Sequence, residues 1–164
     1  MLSLRILDHD WKFYHILIFL LSALTLHCNS DERVIKEAQA LEYRFFRAVD
    51  TGNLKEVENC LQEGLPVDKK DPRGNSGLIH AVDHENLILV QMLIERGANV
   101  NLRNVVGETA LYRAVFRGNL NLVKFLVEKG AETKIKNIEG ISPAHLADER
   151  GEENIQNFLE KSSK

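Results

Sequence analysis

Gly107-Glu-Thr-Ala-Leu-Tyr-Arg-Ala114 returns 33 residues later as Gly140-Ile-Ser-Pro-Ala-His-Leu-Ala147. The same offset aligns residues well beyond these two octapeptides. Ser76, Thr109 and Ser142 are in register, as are Gly74, Gly107 and Gly140. Ala48, Ala81, Ala114 and Ala147 match over four units. Gly64, Gly97 and Gly130 match, and so do Gly52, Gly118 and Gly151. Val57, Val90 and Val123 form another series, with Leu54, Leu87 and Leu120 three residues before them. Self-similarity at a fixed period of this length marks a stacked repeat architecture.

Each unit reads as turn, helix, tight turn, helix, loop. In the unit that begins at Gly107, Thr109 is placed to cap the first helix by accepting from an unpaired backbone N–H. Ala110, Leu111 and Ala114 give that helix a face of small and apolar residues, which lets neighbouring helices approach closely. Leu120, Val123, Phe125, Leu126 and Val127 give the second helix an apolar stripe at three- and four-residue spacing. Gly130 follows, where a left-handed residue ends a helix. Helices this short cannot bury their apolar faces alone, so the units must stack on one continuous core.

The octapeptides resemble the G-x-T-P-L-H-x-A signature of ankyrin repeats, and Gly97-Ala-Asn-Val-Asn101 resembles the G-A-D-V-N that closes such a repeat. The resemblance covers about three quarters of the chain and implies an all-α ankyrin-repeat solenoid of about four helix–turn–helix units with short hairpin loops. The units are placed at about 40–70, 71–103, 104–136 and 137–164. The first unit lacks the Gly and Thr of the preceding turn, and its first helix begins earlier, near Asp31 or Glu32, with many charges. In the fourth, Gln156 and Glu160 stand where Val123 and Val127 stand one unit before. Polar residues at such positions suit a terminal repeat, which has no neighbour on one side.

Ahead of the repeats, Phe13-Tyr-His-Ile-Leu-Ile-Phe-Leu-Leu-Ser-Ala-Leu-Thr-Leu26 is the most apolar stretch of the chain. It has the length of a signal-peptide core and is shorter than the roughly 20 residues that span a bilayer. Arg5 and Lys12 precede it, Asp8 and Asp10 offset them, and Cys28 and a polar segment follow. An apolar run that ends in a cysteine resembles a bacterial lipoprotein signal, in which the cysteine carries the lipid. His27 and Leu26 depart from the small residues usual there. The expectation is a signal peptide over 1–27, lipidation at Cys28, and a tether with the start of a capping helix over 28–39. An ordinary cleaved signal and an uncleaved anchor are the alternatives. Each of the three puts the repeats in the cell envelope, joined to a membrane by lipid or signal segment or released beyond it.

Chemistry is sparsely represented. The net charge of −3 and the scatter of basic residues give no nucleic-acid footprint. There is no HExxH, P-loop or G-x-G-x-x-G, and no histidine pairs with a nucleophile in a recognisable setting. No enzyme, cofactor or metal is expected. Of the two cysteines, Cys60 aligns with Leu93 and Leu126 and reads as a small buried apolar residue. His145 falls on the histidine of the ankyrin signature, where the family uses it for local hydrogen bonding. His84 falls at a variable, exposed position.

The resemblance implies an unidentified protein partner, bound by a monomer through hairpin tips and the exposed faces of first helices. By register these positions include Arg73 and Asn75; Val105, Val106 and Glu108; and Ile138, Glu139 and Ile141 at the tips. On the helices they include His84, Phe116, Arg117 and Glu149. Valine and isoleucine are unexpected at solvent-facing tips, and a contiguous exposed apolar patch marks an interaction site. Phe116 beside Arg117 has the composition of a hot spot. The alternative is that the β-branched residues pack between neighbouring hairpins. The functional expectation is an adaptor exported to a bacterial envelope. An accessory or inhibitory subunit of an envelope enzyme, and a non-exported or host-directed repeat protein, are the other readings.

Overall fold

The computed structural model describes residues 32–162, and the signal segment and Cys28 lie outside them. The chain divides into a unit ending at Ala40 and a second unit from Leu41 onward. Helix α1 covers residues 32–50. It is followed by α2 (Leu54–Gln62), α3 (Gly77–Asp83), α4 (Leu87–Glu95), α5 (Ala110–Phe116), α6 (Leu120–Glu128), α7 (Pro143–Glu149) and α8 (Glu153–Ser162). Among the described residues there is no strand, only an isolated bridge between Lys70 and Ser76. None of the described helices is long and apolar enough to cross a membrane.

The same few side chains start each helix. Ser76, Thr109 and Ser142 cap α3, α5 and α7, accepting from the N–H groups of Ile79, Tyr112 and His145. Asn53, Asn86 and Asn119 cap α2, α4 and α6 in the same way, accepting from Glu56, Leu89 and Leu122. Each such cap is worth about 1 kcal/mol, which matters in helices of two or three turns. The turn between paired helices puts Gly52, Gly118 and Gly151 in the left-handed region. Glu85 holds the equivalent place in the second unit at φ 53°, and its carboxylate accepts from Asn119 Nδ2 at 2.7 Å.

Within units, α3 packs on α4, α5 on α6 and α7 on α8. Between units, α3 packs on α5, α5 on α7 and α6 on α8. A single core results, running from Phe45, Ala48 and Val49 to Ile155 and Leu159. Ala81, Ala114 and Ala147, the repeated alanines of the first helices, are fully buried. Cys60 is buried in this core, and burial pushes its thiol pKa up. At the final unit Gln156 is half-buried and Glu160 exposed.

One local substitution follows from packing. Gly77 stands where the next units carry Ala110 and Pro143. A Cβ at Gly77 would lie 2.7 Å from the Phe45 ring, which is wholly buried. Phe45 occupies the register place of Leu78 and Leu111, so the larger first-unit side chain is matched by a missing methyl one unit on.

Candidate protein-binding face

The hairpins between units are built on one repeated side chain. Asp71 Oδ1 accepts from the backbone N–H groups of Arg73 and Asn75. Asn104 accepts from Val106 and Glu108, and Asn137 from Glu139 and Ile141. A side-chain oxygen that satisfies two loop N–H groups fixes a tight turn without a strand. The hairpins are also bonded to one another. Val105 donates its N–H to the Arg73 carbonyl at 3.1 Å, and Ile138 donates to Val106 at 3.0 Å.

This stacking places the apolar tips side by side. Val105 is 67% exposed and Ile138 69%, with Val106 and Phe116 less so. Ile141 differs from its sequence expectation. It is half-buried and packs against the core, because its backbone turns into the cap of α7. Asn75 and Glu108 are also only partly exposed. Asn75 accepts from Asn104 Nδ2 at 3.0 Å, and Glu108 accepts from the same group at 3.0 Å. The first bond ties neighbouring hairpins together, and the second braces the hairpin that carries Glu108. Arg73 and Glu139 stand exposed at the tips.

A cleft of about 280 Å³ lies beside the second and third hairpins, lined by Arg73, Asn75, Asp83, Asn104, Val105, Val106, Glu108 and Arg113. Arg113 organises its floor. It donates through Nε to Asp83 at 2.8 Å and approaches Glu108 at 3.5 Å. Desolvation works against its charge, but Asp83 and Glu108 outweigh that and raise its pKa above the ordinary arginine value. Arginine at this site is therefore a fixed cation.

Phe116 is 40% exposed and is flanked by guanidiniums, although not by the one its sequence neighbour suggests. Arg113 lies 5.0 Å and Arg150 4.9 Å from the ring centre. Arg117 points away, with Nε 3.4 Å from Asp83. Adjacent residues on a helix diverge by about 100°, whereas Arg113 sits three residues before Phe116 on the same side and Arg150 arrives from the next unit. Glu149 is exposed with His145 Nε2 at 3.5 Å, and the exposed His84 imidazole faces Asp50.

A family model described as ankyrin repeats (3 copies) matches residues 45–137. That is more than half of the chain, and the protein belongs to the ankyrin-repeat family. Ankyrin repeats are protein–protein interaction modules, generally binding scaffolds and not enzymes. A search of curated proteins found no match. Sequence reasoning missed the residues that pair between units, His80 with Asp50 and Arg113 with Asp83. Their offset of 30 residues was the available signal.

Proposed function

We propose that this protein is an exported adaptor that binds a protein partner in a bacterial cell envelope, acting as a monomer by surface complementarity. The observation that carries the binding reading is the row of exposed apolar tips, Val105, Val106 and Ile138, beside a polar cleft whose Arg113 also lies against the exposed Phe116 ring. Exposed aliphatic tips surrounded by arginines and carboxylates have the make-up of an apolar interface core with a charged rim. Phe116 is the anchor in this reading, with Arg73, Glu139 and Glu149 in the rim.

The test is Phe116→Ala in the full chain, assayed by capture of partners from envelope extract. The variant is expected to weaken capture at least tenfold, since interface anchors contribute about 2 kcal/mol or more. Its effect on folding is expected to stay within about 1–2 kcal/mol, because the two exposed cation–π contacts it loses contribute about 0.5–1 kcal/mol each. A collapse of the helical signal or of the melting temperature would make Phe116 a packing residue and defeat the reading.

Export rests on the apolar segment at 13–26 and on Cys28. Lipidation at Cys28 predicts palmitate labelling of the protein in bacteria, abolished in Cys28→Ala. Labelling that survives the substitution, or an unlabelled protein confined to the cytosol, contradicts lipid anchoring.

A further inference from the structure

The contact of Arg113 and Arg117 with Asp83 has a counterpart one unit earlier, made of different chemistry. Asp50 Oδ1 lies 3.0 Å from His80 Nδ1 and 3.1 Å from His84 Nε2. The offsets, 30 and 34 residues, are those of the arginine pair. A guanidinium always presents N–H groups to its carboxylate. An imidazole presents either a proton or a lone pair, and its other nitrogen decides which.

For His80 that nitrogen is held. Nε2 lies 3.1 Å from Asp71 Oδ2. Asp71 Oδ1 accepts from the backbone N–H groups of Arg73 and Asn75, and Oδ2 also lies within reach of Asn75 Nδ2. Asp71 is therefore an acceptor, and Nε2 carries the proton. With the proton on Nε2, the second ring nitrogen, Nδ1, is the one that faces Asp50. The Phe46 ring, 5.3 Å from the imidazole, packs beside it. In the other two hairpins the place of Asp71 is taken by Asn104 and Asn137. Their Oδ1 atoms bond the loop as Asp71 Oδ1 does, so the loop alone does not require a carboxylate. The hairpin that touches His80 is the one that has it.

His80 Nδ1 at 3.0 Å and His84 Nε2 at 3.1 Å from the same Asp50 oxygen bring three metal-ligating atoms together. We propose that Asp50, His80 and His84 form a three-ligand site for a divalent transition-metal ion of the zinc class. The ligand atoms all lie within 4.8 Å of one another. Bonds of about 2.0–2.2 Å at tetrahedral angles need separations of about 3.3–3.5 Å, so the two Asp50 contacts would lengthen by a few tenths of an ångström. Two imidazoles and one carboxylate select zinc, nickel or copper over magnesium or calcium, which prefer all-oxygen shells. Asp50 and Asp71 together balance the ion's double charge. Asp71 acts as the orienting carboxylate behind a ligand histidine, an arrangement that sets tautomer and ring angle. The ion would clamp the end of α1 to α3, tying the first ankyrin repeat to the second.

Titration of Zn²⁺ into the full chain by calorimetry, at about pH 7.5 where free imidazole is mostly neutral, tests this. A single equivalent is expected to bind and to raise the melting temperature. Asp50→Asn and His84→Ala alter exposed side chains and are each expected to weaken binding by at least about tenfold and to remove the thermal shift. Asp71→Asn keeps all three ligands and puts in this hairpin the residue found in the other two. It is expected to weaken Zn²⁺ by about 10- to 100-fold without changing the helical signal. No binding overturns the proposal. So does binding that persists in both Asp50→Asn and His84→Ala, which would place the ion elsewhere, for instance on His9, His15, His27 or Cys28.

Discussion

Replacing Leu111 by Ala is expected to lower the unfolding free energy by about 2–5 kcal/mol, measured by urea denaturation. Leu111 is fully buried in α5, which packs against α3 on one side and α7 on the other. Removing most of its side chain forfeits the transfer free energy of the lost methyls and leaves a cavity that flanking helices can close only partly. In a linear stack, stability is a sum of unit terms and nearest-neighbour interfaces, so damage to an inner unit weakens two interfaces at once. The loss is a large fraction of the roughly 5–15 kcal/mol typical of a whole domain. Leu87→Ala provides the contrast, because Leu87 stands in a second helix with its side chain well exposed. Its substitution is expected to cost less than about 1 kcal/mol. Equal losses for the two variants would contradict the stacking of α3, α5 and α7.

The second large effect is a difference between two glycines. Gly107 and Gly140 hold the same place in successive hairpins, at φ 79° and 81°. Alanine at either must adopt a left-handed backbone, at about 1–2 kcal/mol. At Gly140 that is the whole expected cost, because a Cβ there would meet nothing within 4 Å. At Gly107 a Cβ would lie 3.1 Å from both Asn137 Cα and Ile138 N. The Arg103 guanidinium, closer still at 2.6 Å, can swing aside. The backbone of the next hairpin cannot, since Ile138 N–H is bonded to Val106. Gly107→Ala is therefore expected to cost about 1–3 kcal/mol more than Gly140→Ala, the usual range for overpacking. Comparison of the two melting curves measures hairpin stacking directly. Equal shifts would mean that the hairpins do not stack.

Much of this architecture was legible in the chain. The three Ser/Thr caps, the left-handed glycines and the apolar register positions, Cys60 included, lie where the repeat puts them. These features are local, or recur at a fixed offset, and each has a physical cause that acts within one unit. Glu85 was harder to see. A carboxylate stands in a left-handed turn where three other units have glycine, held by a bond from Asn119 in the next unit. The candidate face was legible in outline, since the tips were placed correctly as exposed apolar positions at Val105 and Ile138. Ile141 was not, because a side chain two residues from an exposed tip can turn inward once the next helix cap forms.

What the sequence determined alone was the period, the helix pairs and their caps, and through them the family. Short-range hydrogen bonding and apolar spacing decide those, and both are written along the chain. Which side chains meet across units was decided by the tertiary structure. Asp50 with His80 and His84, Asp83 with Arg113 and Arg117, and Phe116 with Arg113 and Arg150 are brought together by how one unit is set against the next. That setting follows from the volumes packed between the helices, such as the Phe45 ring over Gly77, and volume is a property of the assembled core.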